Sequence, residues 1–399
     1  MPTRKTNGIP IACVLGEVDL LRALRLARIP SAIVAQEGDP ARYSRAATTA
    51  IDWIDPWREP EALVERLVAF GHRQPRPPVL YYDGDWDLLL VSRYRNRLAQ
   101  AFRFVVPDAE LVESVVDKAL FQGLAEHHRL PVPRSVKIAA DDDPSAGIDL
   151  DFPVVVKPVT RQNITWEPLS DLKALHVTDA EELRSVRWRL AGAGVDVIVQ
   201  EAIAGPDSRI ESYHVYIDER GAIAGEFTGR KLRVHPPGYG HTTALTITRN
   251  DQLAELGRQI VDRIGLRGVA KLDFKSGPDG RMYLFEINAR FNLWHHPGAV
   301  AGVNLPALVY ADLVGLPRPA QRQVREGVTW CTLRHDFQAA RAEGMTILGC
   351  LRTAAASDAK SGFAWDDPLP LPRAAAWQAR RWLRARARNI RAGLSERHT

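Results

Sequence analysis

The sequence predicts a mixed α/β protein that opens with a Rossmann-like parallel sheet. Two patterns lead there. Up to about residue 110, short apolar strands alternate with helical segments, the signature of parallel β–α units. Beyond that, longer strand-like runs meet across tight turns, and one such hairpin carries charged residues on a regular two-residue spacing. The 399 residues are 45% hydrophobic and 25% charged, a globular balance with room for two or three domains.

The first strand is expected at Ile9–Leu15, followed by Gly16 and a helix carrying Leu20, Leu21, Leu24 and Leu26. Gly16 reads either as a plain turn residue or as a close approach to a ligand. A second strand falls at Ile33–Ala35, a helix at Glu61–Phe70, and a strand at Val79–Tyr82. That last strand ends at Asp83-Gly84-Asp85, at the strand edge where open α/β sheets bind ligands, so Asp83 and Asp85 are substrate candidates.

Next the pattern predicts a helix over Val115–His128 and a buried strand, Phe152-Pro153-Val154-Val155-Val156-Lys157-Pro158. A helix over Ala180–Leu190 and a strand over Val195–Gln200 follow. Strands around Ser212–Ile217 and Ala222–Thr228 precede a Pro- and Gly-rich loop from Val234 to Thr243. A helix, Asp251–Ile264, leads into the hairpin Gly268–Lys275 and Arg281–Ala289, turning at Ser276–Gly280.

This hairpin carries the strongest chemical signal. Side chains alternate along a strand, so Glu286, Asn288 and Arg290 share one face while Phe285 and Ile287 point away. Lys271 and Asp273 share a face of the facing strand, which sets Asp273 beside Glu286. Two carboxylates and an amide oxygen are hard ligands that suit magnesium carried by a nucleotide. Zinc would want His or Cys at ligand spacing. The other reading is an ordinary charged hairpin edge. Lys157 ends an apolar strand, either snorkelling or placing a point charge on phosphate. Gln200 and Glu201 leave another strand where backbone and carboxylate can read an adenine and a ribose.

Charge and cysteine usage narrow the class. Residues 372–399 contain eight Arg and one Glu, a balance of +7, while the net charge of the chain is +5. The body is therefore near neutral, which argues against a nucleic-acid-binding core. Cys13, Cys331 and Cys350 show no metal spacing. With no signal-peptide pattern and no apolar run long enough to span a bilayer, a cytoplasmic protein without transmembrane segments is expected.

The order Asp117-Lys118, FPVVVKP, VIVQEAIAG, KLDF and LFEINAR resembles the ATP-grasp superfamily, in particular the predicted carboxylate–amine ligase branch that includes D-aspartate ligases. Supporting stretches are TGRKLRVHPPGYG (228–240), Trp294-His295, GVNLPAL (302–308) and WDDPLP (365–370). The resemblance implies a Rossmann-like domain over 1–110 and an α+β ATP-grasp domain over 111–315. Its small lobe would run over about 118–200 and its large lobe over 201–315. A C-terminal extension with a basic helical tail follows over 316–399.

It also implies roles. Lys118 and Lys157 contact ATP phosphates, and Gln200, Glu201 and Ile203 lie at the adenine hinge. Asp207 and Glu211 are the two candidates for the ribose-binding acid. Asp273, Glu286 and Asn288 hold two magnesium ions, with Glu286 bridging. Arg290 meets phosphate or the acyl phosphate, and Arg230 and Lys231 form a basic pair near the reacting phosphate. Some marks depart from the family: PVTRQNITWEP contains no Gly, leaving phosphate cover to Arg161 or to Thr and Asn groups. Asn-Ala-Arg replaces Asn-Pro-Arg, and Lys271 stands where an acid is frequent.

The implied reaction is phosphorylation of a carboxylate by ATP to an acyl phosphate, then attack by an amine, releasing ADP and phosphate. Small-molecule acid and amine substrates follow. A phosphotransferase to a hydroxyl and a non-catalytic nucleotide-binding module are the alternatives. His241 and His295 are candidate substrate ligands, and His295 reads more readily as a helix-start or packing residue. The loop 234–243 reads as a lid or a long turn. The tail either meets an acidic partner or membrane surface or packs on its own body, and a homodimer is an open expectation.

Overall fold

The structure is a computed structural model that describes residues 8–159, 174–237, 240–320, 322–362 and 364–381. Its first sheet has four parallel strands, β1 (Ala12–Leu15), β2 (Ser31–Ala35), β3 (Ala47–Asp52) and β4 (Val79–Tyr82), in the order β3-β2-β1-β4. Helices α1 (Val18–Leu26) and α2 (Pro60–His72) connect them, and α3 (Asp85–Arg93) and α4 (Arg95–Leu98) follow β4. The chain leaves β1 to one side and returns to β4 on the other. The crevice beyond the carboxyl ends of β1 and β4 is therefore the switch point of this sheet. β3 and α3 escape the sequence pattern, since β3 (ATTAID) is mostly polar or small and half-exposed.

The helix expected over Val115–His128 is two helices, α5 (Ala109–Val116) and α6 (Lys118–His127). Asp117 separates them in extended conformation, and its carboxylate accepts from the Ala119 and Leu120 N–H groups. This cap starts α6 at Lys118.

A small antiparallel sheet follows, with β5 (Ser135–Ile138), β6 (Val154–Pro158), β7 (Leu175–Val177) and, after helix α7 (Ala180–Gly192), β8 (Val197–Glu201), in the order β5-β8-β6-β7. One face of it packs Val154, Val156, Val197 and Val199 against Leu183 and Leu190 of α7, forming a core of its own. Each such side chain contributes roughly 2 kcal/mol by leaving water.

The third sheet has seven strands. β9 (Ile210–Ile217), β10 (Ile223–His235) and β11 (His241–Thr248) are antiparallel. After helix α8 (Asp251–Arg263) come β12 (Gly268–Ser276) and β13 (Met282–Asn288), then α9 (His295–Val300) and α10 (Leu305–Val314). β14 (Thr329–Thr332), helices α11 (Leu333–Ala342) and α12 (Ile347–Ala356), and β15 (Ala359–Ser361) complete it. The order is β13-β12-β9-β10-β11-β14-β15. The expected C-terminal extension thus supplies two strands to this sheet.

Two apolar cores bind the first and third sheets together. One joins Leu80 and Leu90 to Tyr213, Leu272 and Phe274; the other joins Val14 and Ile33 to Phe227, Trp294 and Trp330. Asp367 is fully buried and accepts from Ser44 Oγ at 2.5 Å, from the Arg45 N–H at 2.9 Å and from Arg22 Nη2 at 3.4 Å. The segment after β15 is pinned to the first sheet by these bonds. The expected phosphate-covering stretch from Thr160, Arg161 included, and the tail from residue 382 lie outside the described residues.

Candidate functional site

The β12–β13 register pairs Lys271 with Asn288 and Asp273 with Glu286, as the strand periodicity predicts. Past Asp273 the register shifts, so that Phe274 faces Leu284 and Phe285 is the extra residue of a bulge. Leu284 and Ile287 therefore enter the core, and Phe285 does not. This corrects the expectation that Phe285 and Ile287 point the same way. Phe285 instead lies beneath Lys157, whose ammonium is 5.8 Å from the ring centroid.

Asp273 is buried, and every bond it makes is to a donor. Oδ1 accepts from Ser212 Oγ at 2.5 Å; Oδ2 accepts from Lys231 Nζ at 3.0 Å and Lys271 Nζ at 2.9 Å. Burial pushes its carboxyl up, but Lys231 and Lys271 outweigh that and hold it well below the usual carboxylate range. Glu286 is 41% exposed; its Oε1 accepts from Asn288 Nδ2 at 3.0 Å and lies 3.7 Å from Lys271 Nζ. Asp273, Glu286 and Asn288 thus present oxygens from adjacent strand positions. Among the described residues no cluster of three or more His, Cys, Asp or Glu is arranged as a metal site. The donor set fits an ion that brings phosphate and water ligands with it.

The small sheet faces this cluster with its other side. Gln200 and Lys157 lie on that side, and Lys157 Nζ donates to Gln200 Oε1 at 2.9 Å. Burial lowers the Lys157 ammonium, with the charge of Glu286 opposing the fall. Lys118 Nζ donates to the Pro158 carbonyl at 2.9 Å, one residue past Lys157. Glu201 points the other way: its Oε1 accepts from Arg134 Nη1 at 3.2 Å and the Asp151 N–H at 3.0 Å. Its carboxylate is turned from the cleft, while its backbone and half-buried Ile203 stay at the strand end.

Arg230 and Lys231 are separated. Neighbours on one strand point to opposite faces, and only Lys231 reaches Asp273. Arg230 is exposed and pairs in register with Glu211 on the α8 side of the sheet. Glu211 itself accepts from Asn250 Nδ2, the α8 cap, at 2.7 Å. Asp207, by contrast, stands where its charge supports both the Lys231 and Lys275 ammonium groups. Of the two ribose candidates, Asp207 is the one on the cleft side.

Arg290 joins the hairpin to the first sheet. It donates from Nε to Asp85 Oδ1 at 2.6 Å, from Nη1 to the Asp83 carbonyl at 2.6 Å and from Nη2 to Asn288 Oδ1 at 3.1 Å. Asp83 and Asp85 act here on Arg290. The Asp83 carboxylate accepts from the Glu17 N–H at 2.8 Å and fills the space a Gly16 side chain would need: a Cβ there would sit 2.3 Å from Asp83 Oδ2. Gly16 is explained by that approach. A pocket of ≈ 210 Å³ opens alongside, lined among others by Gly16, Glu17, Asp39, Trp53 and Asp87. Burial raises the Asp83 carboxyl, helped by Asp87, and burial pushes Asp87 up to about 6.

The two histidine candidates fall elsewhere. His295 is fully buried, 5.5 Å from the Phe291 ring and 6.1 Å from His214, so it is presented to packed aromatics and not to the cleft. His241 opens β11 opposite His235 at the tip of the β10–β11 hairpin. The expected loop is that tip, shortened because β10 runs on to His235; Gly238 and Tyr239 lie outside the described residues. Its base is anchored by Arg233, which bonds Asp336 of α11 in a bidentate pair at 2.7 Å and 2.7 Å.

Residues 228–335, which hold Lys231, Asp273, Glu286, Asn288 and Arg290, match the family described as ATP-grasp in the biosynthetic pathway with Ter operon. The N5-carboxyaminoimidazole synthetase of Staphylococcus aureus has a similar fold, with a TM-score of 0.63 at 13% identity, over 84% of this chain and 85% of that one. The ATP-grasp match thus falls on the segment that carries the hairpin and Lys231. D-Aspartate ligase of Enterococcus faecium is 24% identical to this chain over 301 residues, covering 72% of this chain and 71% of that protein. D-Alanine–D-alanine ligase of Stutzerimonas stutzeri is 24% identical over 216 residues, and this chain spans 65% of its length.

The parts played by Ser212 and Glu17, and the bulge at Phe285, went unnoticed in the sequence. Ser212 and Glu17 carry no motif, and their parts come from strands distant in sequence. The bulge at Phe285 was open to inference from an apolar pair, Leu284-Phe285, sitting where alternation allows one core residue.

Proposed function

We propose that the protein is an ATP-dependent carboxylate–amine ligase. The observation that carries this is the convergence, on one cleft, of Asp273, Glu286 and Asn288 from the hairpin with Lys231, Lys271 and Lys157 around them. Oxygen donors and lysines suit positioning and charge neutralisation, which phosphoryl transfer demands. In this reading residues 1–110 supply a substrate edge, 111–315 the nucleotide cleft, and 316–399 an extension built onto the large sheet.

Asp273, Glu286 and Asn288 would hold magnesium, and Lys118 and Lys157 the ATP phosphates. Gln200, the Glu201 backbone and Ile203 would flank adenine, with Asp207 at the ribose. Magnesium, when bound, offsets the charge on the phosphate oxygens. Lys231 and Lys271 add positive charge on the Asp273 side. A substrate carboxylate oxygen attacks the γ-phosphorus, the bond to ADP breaks, and an acyl phosphate forms. The amine nitrogen, having lost a proton, then attacks the acyl carbon and phosphate departs with the bonding electrons. Arg290, fixed by Asp85 and Asp83, would steady the acyl phosphate at the border between cleft and first sheet. The acidic pocket of Glu17, Asp39 and Asp87 suits the amine substrate, which arrives as a cation.

A cytoplasmic setting fits three cysteines that are all unpaired and buried. Hydroxylamine trapping tests the reaction class. With ATP and a panel of amino acids and small acids, a hydroxamate of the true acid substrate is expected. ATP consumption that yields a phosphate ester and no hydroxamate would overturn the ligase reading.

A further inference from the structure

The α11–α12 hairpin carries a feature that ligase chemistry does not use. On α12, Ile347, Leu348 and Leu351 are 58%, 56% and 57% exposed. Their spacing sets them in one row along the outer side of the helix, while Cys350 and Ser357 on the inner side are buried. Phe337 on α11 is exposed as well. Arg334 and Arg341 on α11 and Arg352 on α12 are exposed on the same helix pair. Of the two acids in residues 333–356, Asp336 is buried under Arg233, which leaves Glu343 as the exposed one.

We propose that this face docks on an anionic lipid surface. Three exposed aliphatic side chains in one row of a helix, with exposed arginines on the same helix pair, have the make-up of an interfacial surface. The sign of the charge selects the occupant. A second copy related by a two-fold axis would bring the patch onto itself and set Arg334, Arg341 and Arg352 against their own counterparts. The chain's own residues 372–399, with a balance of +7, would meet the same repulsion. An anionic bilayer complements both the arginines of the hairpin and those of the tail, and each basic residue near it adds to binding. The contact is peripheral, since no helix among the described residues is long and apolar enough to cross a membrane.

The test is co-sedimentation of the full-length protein with phosphatidylcholine vesicles, with and without phosphatidylglycerol. Binding is expected to the anionic vesicles alone and to weaken with salt. The double variant Leu348→Glu, Leu351→Glu should bind about tenfold more weakly or worse. Arg352→Gln should cost roughly fivefold. Both variants should retain ATP turnover in lipid-free solution. No binding, equal binding to neutral vesicles, or unchanged binding by the double variant overturns the proposal. So does light scattering that finds a wild-type dimer dissociated by the double variant, because the face would then belong to a second copy.

Discussion

Lys231 Nζ on β10 donates to Asp273 Oδ2 on β12 at 3.0 Å, across β9, which lies between them in the sheet. Lys271 reaches the same oxygen from its own strand at 2.9 Å. Without these cations a carboxylate this buried would carry an unmatched charge, at a cost of several kcal/mol. The same oxygens are those the proposed reaction needs for magnesium, so the lysines hold the site in register before a nucleotide arrives.

Glu286 is the hairpin carboxylate whose loss should spare the fold, since its side chain is 41% exposed. Glu286→Gln should lower ADP release by at least ~10²-fold, the scale for losing a preorganised charge-stabilising group. Its thermal unfolding should stay close to wild type. Near-normal turnover in a steady-state assay would remove Glu286 from the proposed metal site.

Lys157 should act mainly on nucleotide binding. Lys157→Met keeps length and apolar contact with Phe285 but removes the charge beside Gln200. The KM for ATP should rise by about tenfold or more, with a smaller fall in kcat. An unchanged KM for ATP would leave Lys157 as a packing residue.

Asp87 ties pH to stability. Burial raises its carboxyl to about 6 in the folded chain. The unfolded chain loses this proton near pH 4, so between about 4 and 6 the native state binds more protons. Stability from this group is therefore greatest in acid and declines as pH rises through that window. Asp87→Asn should raise Tm at pH 8 and leave it nearly unchanged at pH 4. A variant whose Tm gain is equal at both pH values would contradict this.

Arg233 and Asp336 fasten the β10–β11 hairpin to α11 through a buried bidentate pair. Asp336→Ala strands a buried guanidinium and should cost about 3–5 kcal/mol in urea unfolding. Arg233→Met combined with Asp336→Ala should recover part of that loss. If the double variant is less stable than either single one, the pair is not the unit that matters.

Much of the hairpin was legible because strand alternation is a local rule. Asp273, Glu286 and Asn288 follow from period two and one short turn. Alternation also forbids Arg230 and Lys231 from sharing a face, although their adjacency in the sequence invites pairing them. Asp207 and Glu211 look alike in the sequence; what separates their surroundings is Asn250 and Lys275, residues brought in by other elements. The same holds for Asp83 and Asp85, whose partner Arg290 lies some 200 residues downstream. Polar strands such as β3, and helices that restart at a cap as α6 does at Asp117, weaken the apolar periodicity on which sequence reading rests.

Asp367 has a consequence for biosynthesis. It satisfies Ser44 and Arg45 in the rim of the first sheet, yet it is made more than 300 residues after them. A nascent chain can form β1 to β4 early, but the Ser44 hydroxyl and the Arg45 amide lack this partner until residue 367 has been made. The N-terminal unit leaves the ribosome unfinished, and its final closure waits on a segment made more than 300 residues later.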